Sequence, residues 1–300
     1  MLNLSGVFPA LTTPFGADGA VALEDLKHNI ERYNQTALAG YVVLGSTGES
    51  VLIQSHEVDG ILTTVKETAA AGKKLIAGTG AESTAETIER TKRAASLGYH
   101  VALIKTPFYY KPAYKPETLI AHYRRVADES PIPVLLYSVP IFTGLALEAP
   151  ETIALAAHPN IIGIKDSSGH IQRISEMIAG APADFQVLVG AAATVFPCLA
   201  IGARGAILAL ADALPEKFAE LYRLHKDGHL EQAREVQKVL LPASNLIVSR
   251  FGIAGVKCAM DYRGYRGGDP RLPLQPLSAE HKLKITAFLA TLEQPVMASA

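Results

Sequence analysis

Short apolar runs alternate with longer amphipathic stretches along almost the whole chain. The apolar runs read VFPALTTP, GYVVLGS, KLIAGTG, HVALIKTP, IPVLLYSVP, IIGIKDS, FQVLVGAA and GAILALAD. Each is too short for a helix of ordinary length and too uniformly apolar for a strand with one wet face. Between them lie patterns such as SHEVDGILTTVKETAAAG and PETLIAHYRRVADES, with the spacing of amphipathic helices. Ser55 and Thr84 stand where two of these helices open, and Gly72 and Gly98 where two close. Strands buried on both faces, each followed by a helix, form parallel sheets covered by helices. Eight such units in a row predict closure into a (β/α)8 TIM barrel. An open, doubly wound sheet is the alternative. It is weakened because Gly78-Thr79-Gly80 lacks the third glycine of a dinucleotide-binding turn, and no such turn follows the first strand.

After residue 215 the strands stop. Residues 214–227, 230–250 and 279–292 read as helices, so the barrel is expected over residues 1–226 and a C-terminal helical extension over 227–300. No linker or low-complexity segment separates the two, which predicts that the extension packs on the barrel as one unit. Residues 187–203 carry no charge and could mimic a membrane span. Gly190, Pro197 and Gly202 interrupt them, and they divide naturally into a buried strand and a buried helix.

Composition narrows the function classes. Of 300 residues, 49% are hydrophobic and 19% charged, enough apolar material for one large core. Lys and Arg total 28 against 29 Asp and Glu, so no basic excess exists to neutralise phosphates, and a nucleic-acid partner is disfavoured. The N-terminal MLNLSGVFPALTTPF has no basic segment followed by an apolar one and reads directly as a first strand, which predicts a cytoplasmic protein with no membrane partner. Cys198 and Cys258 sit among apolar neighbours and read as buried thiols. Of nine histidines only His225 and His229 have i,i+4 spacing, with Gly228 between them at a helix end, so no metal and no cofactor is expected.

In such a barrel the reactive side chains stand at the C-terminal ends of the strands. Ser46 and Thr47 follow the second strand, Thr106 and Tyr109 the fourth, Tyr137 is near the end of the fifth, and Lys165 is near the end of the sixth. Strand alternation puts Ile161, Gly163 and Lys165 on one face. If that face is the lumen, Gly163 leaves space beneath the lysine stem. A lysine held among apolar walls loses hydration of its ammonium, and the neutral amine so favoured can attack a ketone to form an imine, an electron sink. Tyr137, one βα unit earlier, could relay protons to such an imine. Gly45-Ser46-Thr47-Gly48-Glu49 is a glycine-bracketed turn whose N–H groups and hydroxyls suit a carboxylate. Lys105, also near a strand end, competes with Lys165. Alternation alone does not say which of the two faces the lumen, and the glycine and tyrosine beside Lys165 rank it first.

These same residues resemble a known family. GSTGES at 45–50, TPFYYKP at 106–112, LYSVP at 136–140, GIKDSSG at 163–169 and RLPLQPLS at 271–278 are similar to the motifs of the dihydrodipicolinate synthase / N-acetylneuraminate lyase superfamily. The resemblance covers nearly the whole chain. It implies a metal-independent (β/α)8 barrel acting on pyruvate or another 2-oxo acid, and a homotetramer built as a dimer of dimers. It puts the Schiff-base lysine on Lys165 and the proton-relay tyrosine on Tyr137. The hydroxyls that hold the 2-oxo acid carboxylate fall on Ser46 and Thr47, with Gly48 and Ser167 as further substrate contacts. The tyrosine that a neighbouring subunit inserts falls on Tyr109.

Substrate choice within the resemblance turns on a few positions. The synthases show Y-N-V-P-x-R-T-G, whose arginine binds the carboxylate of aspartate semialdehyde; here Phe142 stands at that position. Sialic acid lyases carry an Asp-Glu pair after the seventh strand, where this chain has Ala191-Ala192-Ala193-Thr194. YSVP, HPNIIGIKDS and RFGIAGVK look most like 4-hydroxy-2-oxoglutarate aldolase, which releases pyruvate and glyoxylate. That is the expected activity. A 2-keto-3-deoxy sugar acid aldolase or dehydratase, a dihydrodipicolinate synthase, and a catalytically retired barrel that only binds a 2-oxo acid are the alternatives.

Overall fold

The computed structural model describes residues 2–293. Its eight parallel strands fall one on each apolar run: β1 (Gly6–Pro9), β2 (Gly40–Val43), β3 (Lys74–Gly78), β4 (Val101–Lys105), β5 (Val134–Ser138), β6 (Ile161–Asp166), β7 (Gln186–Val189) and β8 (Gly205–Leu208). Consecutive strands from β2 to β8 are hydrogen-bonded neighbours, and β8 pairs with β1. The seam between β1 and β2 is drawn shut by the bridge of Ala10 to Val42. There Leu11 N–H donates to the Val42 carbonyl at 2.9 Å, and Ala39 N–H donates to the Val7 carbonyl at 2.8 Å. The architecture is a (β/α)8 barrel.

The helices of the wall are α1 (Leu23–Asn34), α2 (Val58–Thr68), α3 (Thr84–Ser96), α4 (Pro116–Glu129), the single turn α5 (Pro140–Thr143), α6 (Ala149–Ala156), α7 (Ile171–Gly180), α8 (Val195–Ala200) and α9 (Pro215–Lys226). Their caps differ in detail from expectation. Ser55 begins a short 3₁₀ turn capped by Gln54, which exchanges hydrogen bonds with Glu57. Ser83, extended at φ −101° and ψ 146°, caps α3 by accepting from Glu86 N–H, and Thr84 is the first helical residue. Gly98 follows α3 with φ +82°, whereas Gly72 lies in the turn beyond the end of α2. The uncharged stretch 187–203 resolves into β7 and α8, and among the described residues no helix is long and apolar enough to cross a membrane. Cys198 and Cys258 are free and buried.

Two apolar layers follow from the closed sheet. Leu4, Phe8, Val42, Ile76, Leu103 and Ile207 are among the residues that fill the lumen, while a larger layer packs between sheet and helices. Alternation is interrupted on β6. The β5–β6 register shifts between Val134 and Leu135, so Val134 faces Ile161 but Leu135 faces Gly163. Ile162 thereby enters the lumen and Ile161 joins the outer layer, against the expected shared face of Ile161, Gly163 and Lys165. Gly163 also has a reason of its own. A Cβ there would collide with the carbonyl oxygen of Gln186 on β7, so only glycine permits the two backbones to approach.

Beyond the barrel, α10 (Leu230–Ala243) runs without a break into a π-helical turn, Ser244–Arg250. The one helix expected over 230–250 thus changes its hydrogen-bond step. Pro242 lies at the change and has no N–H to donate to the α-ladder. An unexpected helix, α11 (Gly252–Tyr262), follows, and α12 (Ala279–Glu293) ends the described chain. From Gly255 to Met260 every residue of α11 is buried, so it offers no polar face and no amphipathic period to read.

The extension is tied to the barrel by buried charge. Lys257 of α11 lies 2.7 Å from Glu49 in the loop after β2, both side chains fully buried. The same ammonium donates to the Asp269 carbonyl at 3.1 Å and lies 4.4 Å from the Phe15 ring centroid. The second carboxylate oxygen of Glu49 accepts from Arg271 N–H at 2.8 Å. Arg271 grips Glu57 through both terminal nitrogens, at 2.6 and 2.7 Å, and reaches the carbonyls of Gly19 and Leu52. This bidentate contact holds the Glu57 carboxyl down at about 2. Removing one member of a buried pair leaves the other charge uncompensated, at a cost of about 3–5 kcal/mol. Lys257→Met and Glu49→Gln should each lose that much stability in urea denaturation, and the double variant less than the sum of the two. Strict additivity would show that the two groups do not depend on each other.

Candidate active site

The parallel ladder decides which side chains meet. Lys105 of β4 is in register with Tyr137 of β5, and Tyr137 with Lys165 of β6. Residues paired across parallel strands point to the same side. Leu103 and Leu135, two residues earlier, line the lumen together with Tyr137, so all three polar side chains stand at its C-terminal mouth. The sequence left open which lysine faces inward; both do.

Lys165 is 3% exposed and Tyr137 4% exposed, so both are sealed from bulk water. The Lys165 ammonium lies 4.2 Å from the centroid of the Tyr137 ring. On the other side, the Tyr137 hydroxyl is 3.4 Å from Ser46 Oγ. Ser46 and Thr47 are half-buried in the loop after β2. That loop is braced tightly. Thr13 Oγ1 donates to the Gly48 carbonyl at 2.8 Å, and a Cβ on Gly48 would stand 2.8 Å from the Leu11 carbonyl. Glu49 takes φ +55°, a left-handed conformation unusual for its side chain, at the residue gripped by Lys257. Lys165, Tyr137 and Ser46 are therefore brought together, with Thr47 and Gly48 next in the same loop.

Two expected residues stand apart. Tyr109 is 73% exposed and packs edge-on against Tyr110, ring centroids 5.0 Å apart. Its N–H donates to Glu82 at 2.8 Å, which fixes the loop while leaving the ring in solvent. Among the described residues no hydrogen bond joins Ser167 to Lys165, Tyr137 or Ser46; its N–H donates to the Ser138 carbonyl, and its hydroxyl lies against Gly190, where any Cβ would overlap it. Phe142, on α5, is 61% exposed.

Asp212, just after β8, is a buried carboxylate within electrostatic reach of Lys165 that was not singled out from the sequence. It is fully buried, and burial pushes its carboxyl well above the ordinary range. The Thr12 N–H at 3.4 Å, the Tyr33 hydroxyl and the Lys165 charge act in the opposite sense. Oδ2 of Asp212 and Oδ2 of Asp166 are buried without a hydrogen-bond partner among the described residues. The signal was an aspartate closing the apolar run GAILALAD at a strand's C-terminal end. Among the described residues no cluster of three or more His, Cys, Asp or Glu could hold a metal.

The dihydrodipicolinate synthetase family model matches residues 3–292. The chain belongs to that family. A 4-hydroxy-tetrahydrodipicolinate synthase of Exiguobacterium sp. is 40% identical over 291 residues, 97% of each chain. One from Xanthomonas axonopodis is 38% identical, over 94% of this chain and 92% of that one. Among solved structures, the chloride-inhibited dihydrodipicolinate synthase of Acinetobacter baumannii complexed with pyruvate superposes with a TM-score of 0.91 at 30% identity, covering 96% of this chain and 98% of that one. The enzyme from Aquifex aeolicus gives 0.92 at 30%, covering 98% and 100%. The chain is accordingly a lyase-type enzyme of the class I, pyruvate-dependent aldolase superfamily. The expected likeness to 4-hydroxy-2-oxoglutarate aldolase in particular is not the name these relatives carry.

Lys105 differs electrostatically from an ordinary lysine. Burial pushes its pKa down to about 8, the Arg90 charge adds to the shift, and Glu82 opposes it. Below that pH it is an ammonium, above it a free amine. Pulse-labelling with a small amine-selective reagent, mapped by peptide, should give half-maximal modification of Lys105 near pH 8. An exposed lysine titrates near ~10.4, and the same value at Lys105 would contradict its buried setting.

Proposed function

We propose that this enzyme joins or separates pyruvate and an aldehyde through an imine on Lys165. The observation that carries the reading is one contact chain: the Lys165 ammonium over the Tyr137 ring, and the Tyr137 hydroxyl beside Ser46. In the joining direction Lys165 Nζ adds to the C2 carbonyl of pyruvate, and the carbonyl oxygen leaves as water. The imine draws electrons from C3, which gives up a proton to become an enamine carbon. C3 then attacks the aldehyde carbon, and the alkoxide so formed takes a proton. Tyr137 is the group proposed to carry protons at the imine and at this oxygen. Ser46, Thr47 and the Gly48 N–H are proposed to hold the C1 carboxylate.

Names of the relatives favour condensation as in a 4-hydroxy-tetrahydrodipicolinate synthase, and we take that as the first reading. A second reading is cleavage of 4-hydroxy-2-oxoglutarate, because Phe142 offers neither charge nor donor where the synthases carry the arginine that holds aspartate semialdehyde. Either partner aldehyde bears a carboxylate, so either reading needs a cation elsewhere. Assembly as a homotetramer is part of the proposal. Tyr109, Tyr110 and Val51 are exposed apolar side chains, Tyr109 being the one proposed to enter a neighbour's site.

Borohydride added with pyruvate should inactivate the enzyme and leave a reduced pyruvyl adduct on Lys165, located by peptide mapping. An adduct on Lys105 alone would overturn the assignment. Tyr137→Phe should keep the fold and lose about 10²–10⁴-fold in kcat, the range of a positioned acid or base. Near-normal turnover would give the proton to another group. Comparing kcat/KM for pyruvate with aspartate semialdehyde against 4-hydroxy-2-oxoglutarate separates the two substrate readings. The first expects the semialdehyde to be preferred. A clear preference for 4-hydroxy-2-oxoglutarate selects the second.

A further inference from the structure

Lys105 has a setting that imine chemistry on Lys165 leaves unexplained. It stands at the mouth of the lumen, and with Ser46, Gly80 and Tyr137 it lines a cavity of about 10 Å³, room for one water until a side chain moves. Gly80 makes room for it: a Cβ there would lie 2.7 Å from Lys105 N and 3.1 Å from its Cγ. The ammonium donates to the Gly80 carbonyl. An ammonium has three donors, so two are left over. Among the described residues no carboxylate pairs with it. The nearby Glu82 accepts instead from Phe108 N–H and Tyr109 N–H. A half-buried cation with spare donors and no carboxylate in contact, facing a cavity shared with Tyr137, is arranged for an anion that arrives with the substrate.

The spacing identifies which anion. Lys105 and Lys165 are in register two strands apart, so their backbones lie about 10 Å from one another, at ~4.8 Å per strand. Both side chains point to the same mouth, with Tyr137 between them. A 2-oxo acid held at its C2 by Lys165 has its C1 carboxylate at the Ser46 loop. In the pose we infer, the rest of its chain runs past Tyr137 toward Lys105. We infer that Lys105 binds the second carboxylate of a 2-oxo dicarboxylic acid, the one that comes from the aldehyde half, and so replaces the cation missing at Phe142. This rests on the imine reading above and adds the residue that selects the partner.

Imine trapping tests it without depending on either full reaction. Borohydride adducts on Lys165 are measured as a function of concentration for two pairs: 2-oxoglutarate against 2-oxopentanoate, and 2-oxoheptanedioate against 2-oxoheptanoate. Members of a pair differ only in the far carboxylate, and taking the ratio within each protein cancels changes in imine formation itself. The native enzyme should trap one dicarboxylate at about 10- to 100-fold lower concentration than its counterpart, the range of a charge-assisted contact. The preferred length reports whether the far carboxylate belongs to a two-carbon or a four-carbon aldehyde. Lys105→Met should bring the ratio to near unity, and Lys105→Arg should keep most of it. A native ratio near one, or one that survives in Lys105→Met, overturns the assignment while leaving the imine intact. If Lys105→Met and Lys105→Gln both lose the pyruvate adduct as well, Lys105 serves the imine chemistry itself and the assignment falls. If native enzyme forms no pyruvate adduct on Lys165, the imine reading fails and Lys105 goes with it.

Discussion

The register of three neighbouring strands is the constraint on which the site depends. Parallel pairing sets Lys105, Tyr137 and Lys165 at one height on one face, with no loop conformation involved. The slip on β6 lies below that level and leaves the alignment intact. Plain alternation from Ile161 would carry Ile161 into the lumen; the extra residue sends it outward and Ile162 inward, while Lys165 keeps its place beside Tyr137. Gly163 permits the slip because no side chain stands between β6 and the Gln186 carbonyl. Precision at the mouth thus comes from backbone hydrogen bonding, the stiffest part of the fold.

The loop after β2 is positioned differently. It has no ladder of its own, so its hold comes from side chains that converge on Glu49 and Gly48. Lys257 neutralises the carboxylate, Arg271 N–H caps it, and Thr13 fixes the neighbouring carbonyl. The left-handed Glu49 is held by contacts on both of its oxygens. Substrate hydroxyls and barrel extension are therefore parts of one mechanical unit, although they lie far apart in sequence.

Much of this was legible from the chain. Eight uniformly apolar runs gave eight strands because burial on both faces leaves no room for polar alternation. Lys165 and Tyr137 could be paired because adjacent βα units put their strand ends side by side. Other features were illegible for identifiable reasons. Helix α11 is buried through Gly255–Met260 and has no periodicity. The bulge at Ile161 and Ile162 depends on a neighbouring strand, which local patterns do not encode. Asp212 gave only a single carboxylate at a strand end, and its burial within reach of the Lys165 charge is not a local signal. Lys105 was read as a rival to Lys165 because alternation has no absolute phase; with the register known, the two occupy different strands of one mouth.

The grip on Glu49 has a consequence for the order in which the protein can be completed. Its partners at 257 and 271 are synthesised after all eight strands, and the bond from Arg271 spans 222 positions of sequence. A chain emerging from the ribosome can therefore pair every strand of its barrel while Glu49 still lacks its counter-ion. Until the last segment arrives, that carboxylate stays hydrated, with the loop open. Closure of the loop around Glu49 thus waits for the end of translation.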